Sequence, residues 1–168
     1  MQPADDSLGA SRFQVAIGAL IRRGSDGRYL LLRRSDDKDF AAGMWECITG
    51  RVDQGEDIMT ALHREVAEEL GVSVTVDYLI GTFHFYRGPA VPAYEMVGLH
   101  FCCSVDAEQK INLSWEHSDA RWVSPEEADQ LLPPGHWLRP VITRAETLHE
   151  LTPGALLAYR RATGFALP

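Results

Sequence analysis

Positive charge is in short supply. The 168 residues hold 16 Lys and Arg against 24 Asp and Glu, a net charge of −8 with His neutral. Affinity for a nucleic-acid backbone comes from phosphate neutralisation by Lys and Arg, so a nucleic-acid duplex is not an expected partner. No apolar run approaches the roughly 20 residues of a membrane span. The opening Met1 to Ser11 carries Asp5 and Asp6 and lacks both the basic and the apolar region of a secretory leader. Neither a membrane partner nor export is expected. Cysteine is scarce as well. Cys47, Cys102 and Cys103 are odd in number, two are adjacent, and no CxxC pair exists. That pattern fits reduced thiols in a cytoplasm, buried as small hydrophobes on strands, rather than a disulfide framework. The motifs GxxxxGK[ST], GxSxG and HExxH are also missing, which leaves P-loop, nucleophile-elbow and zincin chemistry without support.

What is present is the ordinary mix of a globular protein, 45% hydrophobic and 24% charged, at a length that suggests a single domain over 1–168. Residues 1–11 are polar and expected to be disordered. Phe13 to Ile21 and Tyr29 to Leu32 read as a hairpin across Gly24-Ser25-Asp26-Gly27. Ser35 to Gly43 reads as a loop, Trp45 to Thr49 as a short strand and Gly50 to Gly55 as a second loop. Asp57 to Leu70 is helical, with Ile58, Leu62, Val66 and Leu70 spaced by four and Gly71 placed to end it. Strand runs follow at Val72 to Val76, Tyr78 to Tyr86 and Glu95 to Val105. Ser124-Pro125-Glu126-Glu127 starts a capped helix running to about Leu132. Leu138 to Leu151 and Ala155 to Ala162 add two more, so 133–168 is expected to be a helical extension packed on the domain. The fold class is α+β, with a mixed sheet and helices on its faces.

The chemistry concentrates between Gly50 and Val72, GRVDQGEDIMTALHREVAEELGV. At about 100° per residue, taking Glu65 as zero, Glu69 falls near 40° and Glu68 near −60°, while Ile58 falls near 20° and Leu62 near 60°. The carboxylates are interleaved with the apolar stripe, whereas a solvated acidic face would lie opposite it. Like charges crowded at a core edge repel and lose hydration, so they call for a cation. Carboxylate oxygens suit a hard divalent ion, Mg²⁺ or Mn²⁺.

These residues resemble the Nudix (MutT-like) hydrolase family. The segment matches the pattern Gx5Ex7REUxEExGU, with U aliphatic, at Gly50, Glu56, Arg64, Glu65, Val66, Glu68, Glu69, Gly71 and Val72. On ordinary composition such a match has odds on the order of one in 10⁸ to 10⁹ per starting position. The likeness extends to Arg33-Arg34, to Gly43-Met44-Trp45-Glu46 and to Glu116…Arg121-Trp122-Val123…Glu127, spanning Phe13 to Leu132. It implies an α/β/α sandwich with a mixed central sheet and a loop-helix-loop catalytic motif. It also implies a divalent-metal-dependent pyrophosphohydrolase that splits a diphosphate linkage in a nucleoside diphosphate joined to another group. Glu65, Glu68 and Glu69 are the implied metal ligands, with the Gly50 carbonyl as a further one, and Glu56 with Arg64 the implied ion pair that orients them. The implied catalytic set is Glu65, Glu69 and Glu116. Family members differ in which Glu serves as general base, and Glu65 stands slightly ahead of Glu116 here.

Around this core, one of Arg33 and Arg34 is expected to face the site and reach a phosphate, since side chains alternate along a strand. Tyr86 is a candidate for stacking on a base, as are His84 and Phe101, against core packing. His63 is expected to be exposed. His100, Cys102 and Cys103 make a poor zinc site because adjacent cysteines suit a tetrahedral ion badly. Ile48-Thr49-Gly50 replaces a Pro-Gly-Gly run found in many members and, with Trp45-Glu46, resembles the branch that includes dATP and dihydroneopterin triphosphate pyrophosphohydrolases. The expected substrate is thus a (deoxy)nucleoside triphosphate or pterin triphosphate cleaved to monophosphate and pyrophosphate. The alternatives are ADP-ribose, nucleotide sugars or dinucleoside polyphosphates as substrates, a nucleotide-binding regulatory module without hydrolysis, and an isomerase of the isopentenyl diphosphate type. A homodimer stays open.

Overall fold

A computed structural model describes residues 13–106 and 109–165; the segment expected to be disordered, 1–11, lies outside the described residues. Along the chain run β1 (Gln14–Arg23), β2 (Tyr29–Arg34), β3 (Trp45–Glu46), β4 (Ile48–Arg51), α1 (Ile58–Leu70), β5 (Thr75–Tyr86), a 3-10 turn (Pro92–Tyr94), β6 (Glu95–Val105), β7 (His117–Val123), α2 (Pro125–Leu131), α3 (Leu138–Leu151) and α4 (Gly154–Thr163). The strands form one mixed sheet in the order β3-β2-β1-β6-β5, with β4 also on β1 and β7 also on β2. Among the described strands only β1 and β6 run parallel, in register from Gln14↔Met96 to Arg23↔Val105.

Two cores flank the sheet, because its strands are apolar on both faces. Ile17, Ala19 and Ile21 of β1 pack with Leu62, Val66 and Leu70 of α1. Leu20, Tyr29 and Leu31 pack on the other side with Ala128 of α2 and Leu138, Ile142 and Ala145 of α3. Helices therefore cover both faces, as the sandwich expectation requires. Cys47, Cys102 and Cys103 are buried free thiols, Cys102 in one core and Cys103 in the other. No helix among the described residues is long and apolar enough to cross a membrane.

Several boundaries differ from the sequence reading. The single strand expected from Trp45 to Thr49 is broken at Cys47, and Gly50 and Arg51 belong to β4 rather than to the following loop. Of the run expected from Val72 to Val76 only Thr75 and Val76 are strand, and they join the run after Asp77 as one strand, β5, whose register slips between Val76 and Tyr78. The unpaired Asp77 is buried there and accepts hydrogen bonds from Arg161 Nε (2.8 Å) and Nη2 (2.6 Å). A bulge with a long-range ion pair carries no periodic signal. Strand β7 was not expected, because HSDARWV is polar and alternates weakly; pairing with β2 holds it in place.

Gly71 ends α1 as read, whereas Asp57, read as the first helical residue, is the cap before it. The Asp57 carboxylate accepts from the backbone N–H of Met59 (2.8 Å) and Thr60 (3.2 Å). Gly71 ends the helix at φ 66°, its N–H bonding Ala67 O at 2.9 Å. Caps at both ends fix which way the Glu-bearing face of α1 turns.

Candidate active site

Strands β1 and β2 share one pairing, Arg22↔Tyr29. Beyond it β1 pairs with β4 through Ala16 to Ala19, and β2 pairs with β3 through Leu32 and Arg33. Where the two halves of the sheet part, a cavity of about 630 Å³ opens, lined by Ile17, Arg34, Glu46, Gly50, Glu65, Glu69 and Glu116 and, further along, by Phe83, Phe85, His100 and Trp137. Gly50 lies opposite Ile17 on the α1 face, whereas Phe83 lies opposite Gly98 and Gly98 beside Ala16, with His100 beside Gly18, on the face that carries Leu20. The cavity thus joins carboxylates from the α1 side of the sheet to aromatic rings from the other side.

Within α1 the three glutamates have different surroundings. Glu69 lies in the middle of the apolar stripe and is 7% exposed. Burial, then the charges of Glu46, Glu65 and Glu116, push its carboxyl up to about 9. Its Oε2 is shut from solvent without a hydrogen-bond partner. Glu65 stands at the edge of the stripe, its carboxyl raised by burial and held down in part by Arg64. A Cβ on Gly50 would come within 2.1 Å of the Glu65 carboxyl carbon, so only glycine lets this carboxylate lie against β4. Glu68 is turned outward, with its side chain 60% exposed, and does not line the cavity.

Arg64 ties this helix face to the preceding loop. Its Nε and Nη2 donate to Glu56 Oε1 and Oε2, both at 2.9 Å, its Nη1 to Glu65 Oε1 at 2.8 Å, and its Nη2 also to Arg51 O at 3.0 Å. The guanidinium holds the Glu56 carboxyl down at about 2, helped by the Asp53 N–H that Glu56 accepts. The expected Glu56–Arg64 pair is present in bidentate form.

The other residues singled out in the sequence sort by strand face. Arg34 lines the cavity and donates to Glu46 Oε1 at 2.8 Å, whereas Arg33 turns away to Ser118 and Asp36. Tyr86 does not line the cavity; it packs edge-on against His84, which does line it and pairs with Glu95. Phe83 and Phe85 occupy the alternate positions on β5 and supply the wall instead. Phe101 is core and His63 is exposed.

Three lining residues and one residue behind them were not legible as such. Glu46 lines the cavity from β3, Lys38 from the loop after β2 and Trp137 from the turn before α3, while His117 of β7 stands behind the wall between Glu46 and Glu69. The Lys38 ammonium sits 2.9 Å from Glu116 Oε2 and 3.6 Å from the Trp115 ring centre. Alternation along the two-residue β3 carries too little pattern to mark Glu46, and neither loop carries a period.

Among the described residues no three His, Cys, Asp or Glu side chains form a ready-made cation cage. Glu65 leans on Arg64, and Glu46 on Arg34. The donor set nevertheless fits a hard divalent cation. Carboxylates crowd one wall, and a buried carboxylate oxygen goes unpartnered.

Comparison with known proteins defines the class. The NUDIX domain family matches residues 12–145, and the chain belongs to that family. It is a hydrolase of phosphoric anhydride bonds, and Nudix hydrolases generally use divalent metal cations. The nucleoside triphosphatase NudI of Escherichia coli O139:H28 is 34% identical over 111 residues, 61% of this chain and 77% of that protein. The MutT protein of Methanosarcina mazei Go1 superposes with a TM-score of 0.68 at 28% identity, over 83% of this chain and 97% of that one. The dihydroneopterin triphosphate pyrophosphohydrolase of E. coli gives 0.59 at 26% identity, over 79% and 95%.

Proposed function

We propose that this chain hydrolyses a nucleoside triphosphate, or a pterin triphosphate, to the monophosphate and pyrophosphate with Mg²⁺ or Mn²⁺. One observation carries the reading: a carboxylate wall and an aromatic wall line one cavity. A polyphosphate with its cation suits the first, and a flat heterocycle suits the second. The names of the E. coli NudI and dihydroneopterin triphosphate relatives point the same way.

Glu65 and Glu69, with the Gly50 carbonyl, would hold the cation, while Glu68 stays turned outward on Arg64. When bound, the cation offsets polyphosphate charge and acidifies water. Arg64 keeps Glu65 against β4, and the Glu56 carboxylate keeps Arg64 in place. Arg34 and Lys38 offer N–H donors to phosphate oxygens from two sides of the cavity. Glu65, half-buried with a raised carboxyl pKa, takes the proton from the attacking water. Glu116, braced by Lys38, orients that water or helps hold the cation.

A panel of NTPs, dNTPs, dihydroneopterin triphosphate, ADP-ribose, diadenosine tetraphosphate and nucleotide sugars tests the reading, run with Mg²⁺, Mn²⁺ or EDTA. The expected result is pyrophosphate from a triphosphate, abolished by EDTA. Turnover in EDTA would overturn the cation assignment, and a preference for ADP-ribose would overturn the substrate class. Reaction in ¹⁸O water would then locate the phosphorus attacked.

A further inference from the structure

His117 is the most enclosed polar side chain beside the carboxylate wall, 1% exposed. One ring edge meets Glu46, with Nε2 at 3.1 Å from Oε1. The other faces Glu69, with Nδ1 at 3.6 Å from Oε2. Those two facing atoms, His117 Nδ1 and Glu69 Oε2, are both buried without a hydrogen-bond partner. The gap is about half an ångström longer than a hydrogen bond, and closing it with one proton between the two atoms satisfies both at once.

The far side of the imidazole is fixed. Glu46 accepts from Arg34 Nη1 at 2.8 Å and from Thr49 Oγ1 at 3.5 Å, so β2 and β4 brace it. The chain around His117 is fixed as well. Arg34 pairs with His117 but Arg33 with Asp119, which leaves Ser118 as a bulge in β7. A bulge re-aims the neighbouring side chain. The Ser114 N–H bonds Glu69 O at 2.9 Å, and the His117 N–H bonds Ser114 O at 3.3 Å, tying this loop to the end of α1.

We infer that His117 is a positioning residue. Held by Glu46, it fixes the inner oxygen of Glu69, so that the carboxylate presents its other oxygen to the cavity in one orientation. Outer partners of this kind are worth about 10- to 100-fold in metal affinity. The inference rests on Glu69 being a cation ligand, and the two assignments fail differently.

Mn²⁺ binding to the nucleotide-free protein, followed by electron paramagnetic resonance, is the measurement. Glu69→Gln is expected to weaken binding at least about tenfold; wild-type affinity there would overturn the ligand reading itself. With that established, His117→Leu is expected to weaken Mn²⁺ about 10-fold or more. His117→Asn retains a short amide N–H for the Glu69 side and should stay within about threefold of wild type. Turnover of the leucine variant should fall at low Mg²⁺ and recover as Mg²⁺ is raised, which a merely structural defect would not do. His117→Met serves the same test where the leucine variant fails to fold by circular dichroism. Wild-type Mn²⁺ affinity in a folded leucine or methionine variant would overturn the inference, as would an asparagine variant no better than leucine.

Discussion

Arg64 meets Glu56 through two hydrogen bonds of 2.9 Å, Nε to Oε1 and Nη2 to Oε2, while its Nη1 reaches Glu65. One planar guanidinium therefore couples the loop before α1 to the carboxylate that lies against Gly50. Lysine cannot reproduce that fork. Arg64→Ala should lower kcat/KM by about 10- to 100-fold and lower Tm, with Arg64→Lys recovering little of either. Steady-state kinetics and thermal melts check this, and an alanine variant with wild-type turnover would separate Arg64 from the site.

The aromatic wall gives a second prediction. The rings of Trp137 and His100 stack with centroids 5.4 Å apart, and His100 lies 4.4 Å from Phe83. Stacking of a base on such a surface is worth roughly 1–3 kcal/mol. Trp137→Ala should therefore raise KM for the preferred nucleotide by about tenfold or more, with kcat within about threefold. Inhibition by inorganic pyrophosphate, which has no ring, should be unchanged. Equal losses for both ligands would place Trp137 outside the base contact.

The contrast between these residues shows what sequence could carry. Glu56, Arg64, Glu65 and Glu69 sit on or next to one capped helix, where 3.6-residue geometry converts spacing into direction. Glu69 was readable as a charge inside an apolar stripe, and the structure buries it there. Strand alternation likewise separates Arg34 from Arg33. Glu46, His117 and Trp137 reach the site only through tertiary pairing: a two-residue strand, a bulge and the turn before α3. Tyr86 was one residue out of phase for the same reason. Its strand was recognised, but the face it shows depends on pairing and on the slips at Asp77 and Ile80, which no local pattern encodes.

His100 makes stability depend on pH. Burial pushes its imidazole down to about 4, with Phe83 and Trp137 packed against it and its ring against Gly18. The unfolded chain, with His near 6.5, binds more protons between those values, so stability rises with pH there. The contribution is complete above about 6.5 and is lost as pH falls towards 4. A shift of this size corresponds to an upper limit on the order of 3 kcal/mol. Tm measured from pH 7 to pH 4 should fall less steeply in His100→Phe than in wild type; parallel curves would refute the assignment.

Glu116 and Glu65 compete for the role of general base, and their surroundings separate them. The Lys38 ammonium lies 2.9 Å from Glu116 and stacks over Trp115, so this carboxylate is steadied by a cation at the cavity mouth. Glu65 is more enclosed, its carboxyl raised by burial, which makes it the stronger base once ionised. A general base contributes about 10²- to 10⁴-fold. Glu65→Gln should lose at least that lower figure in kcat and weaken cation binding too, because the same side chain serves both. Glu116→Gln should keep kcat within about tenfold at saturating Mg²⁺, with the acidic limb of the pH profile in place. Lys38→Met should likewise keep kcat within about tenfold, since it removes the brace rather than the base, while its KM rises with the loss of a phosphate donor. A Glu116→Gln variant that loses more than about 10²-fold in kcat at saturating Mg²⁺, with the acidic limb displaced, would transfer the proton to Glu116 and leave Glu65 as a ligand alone.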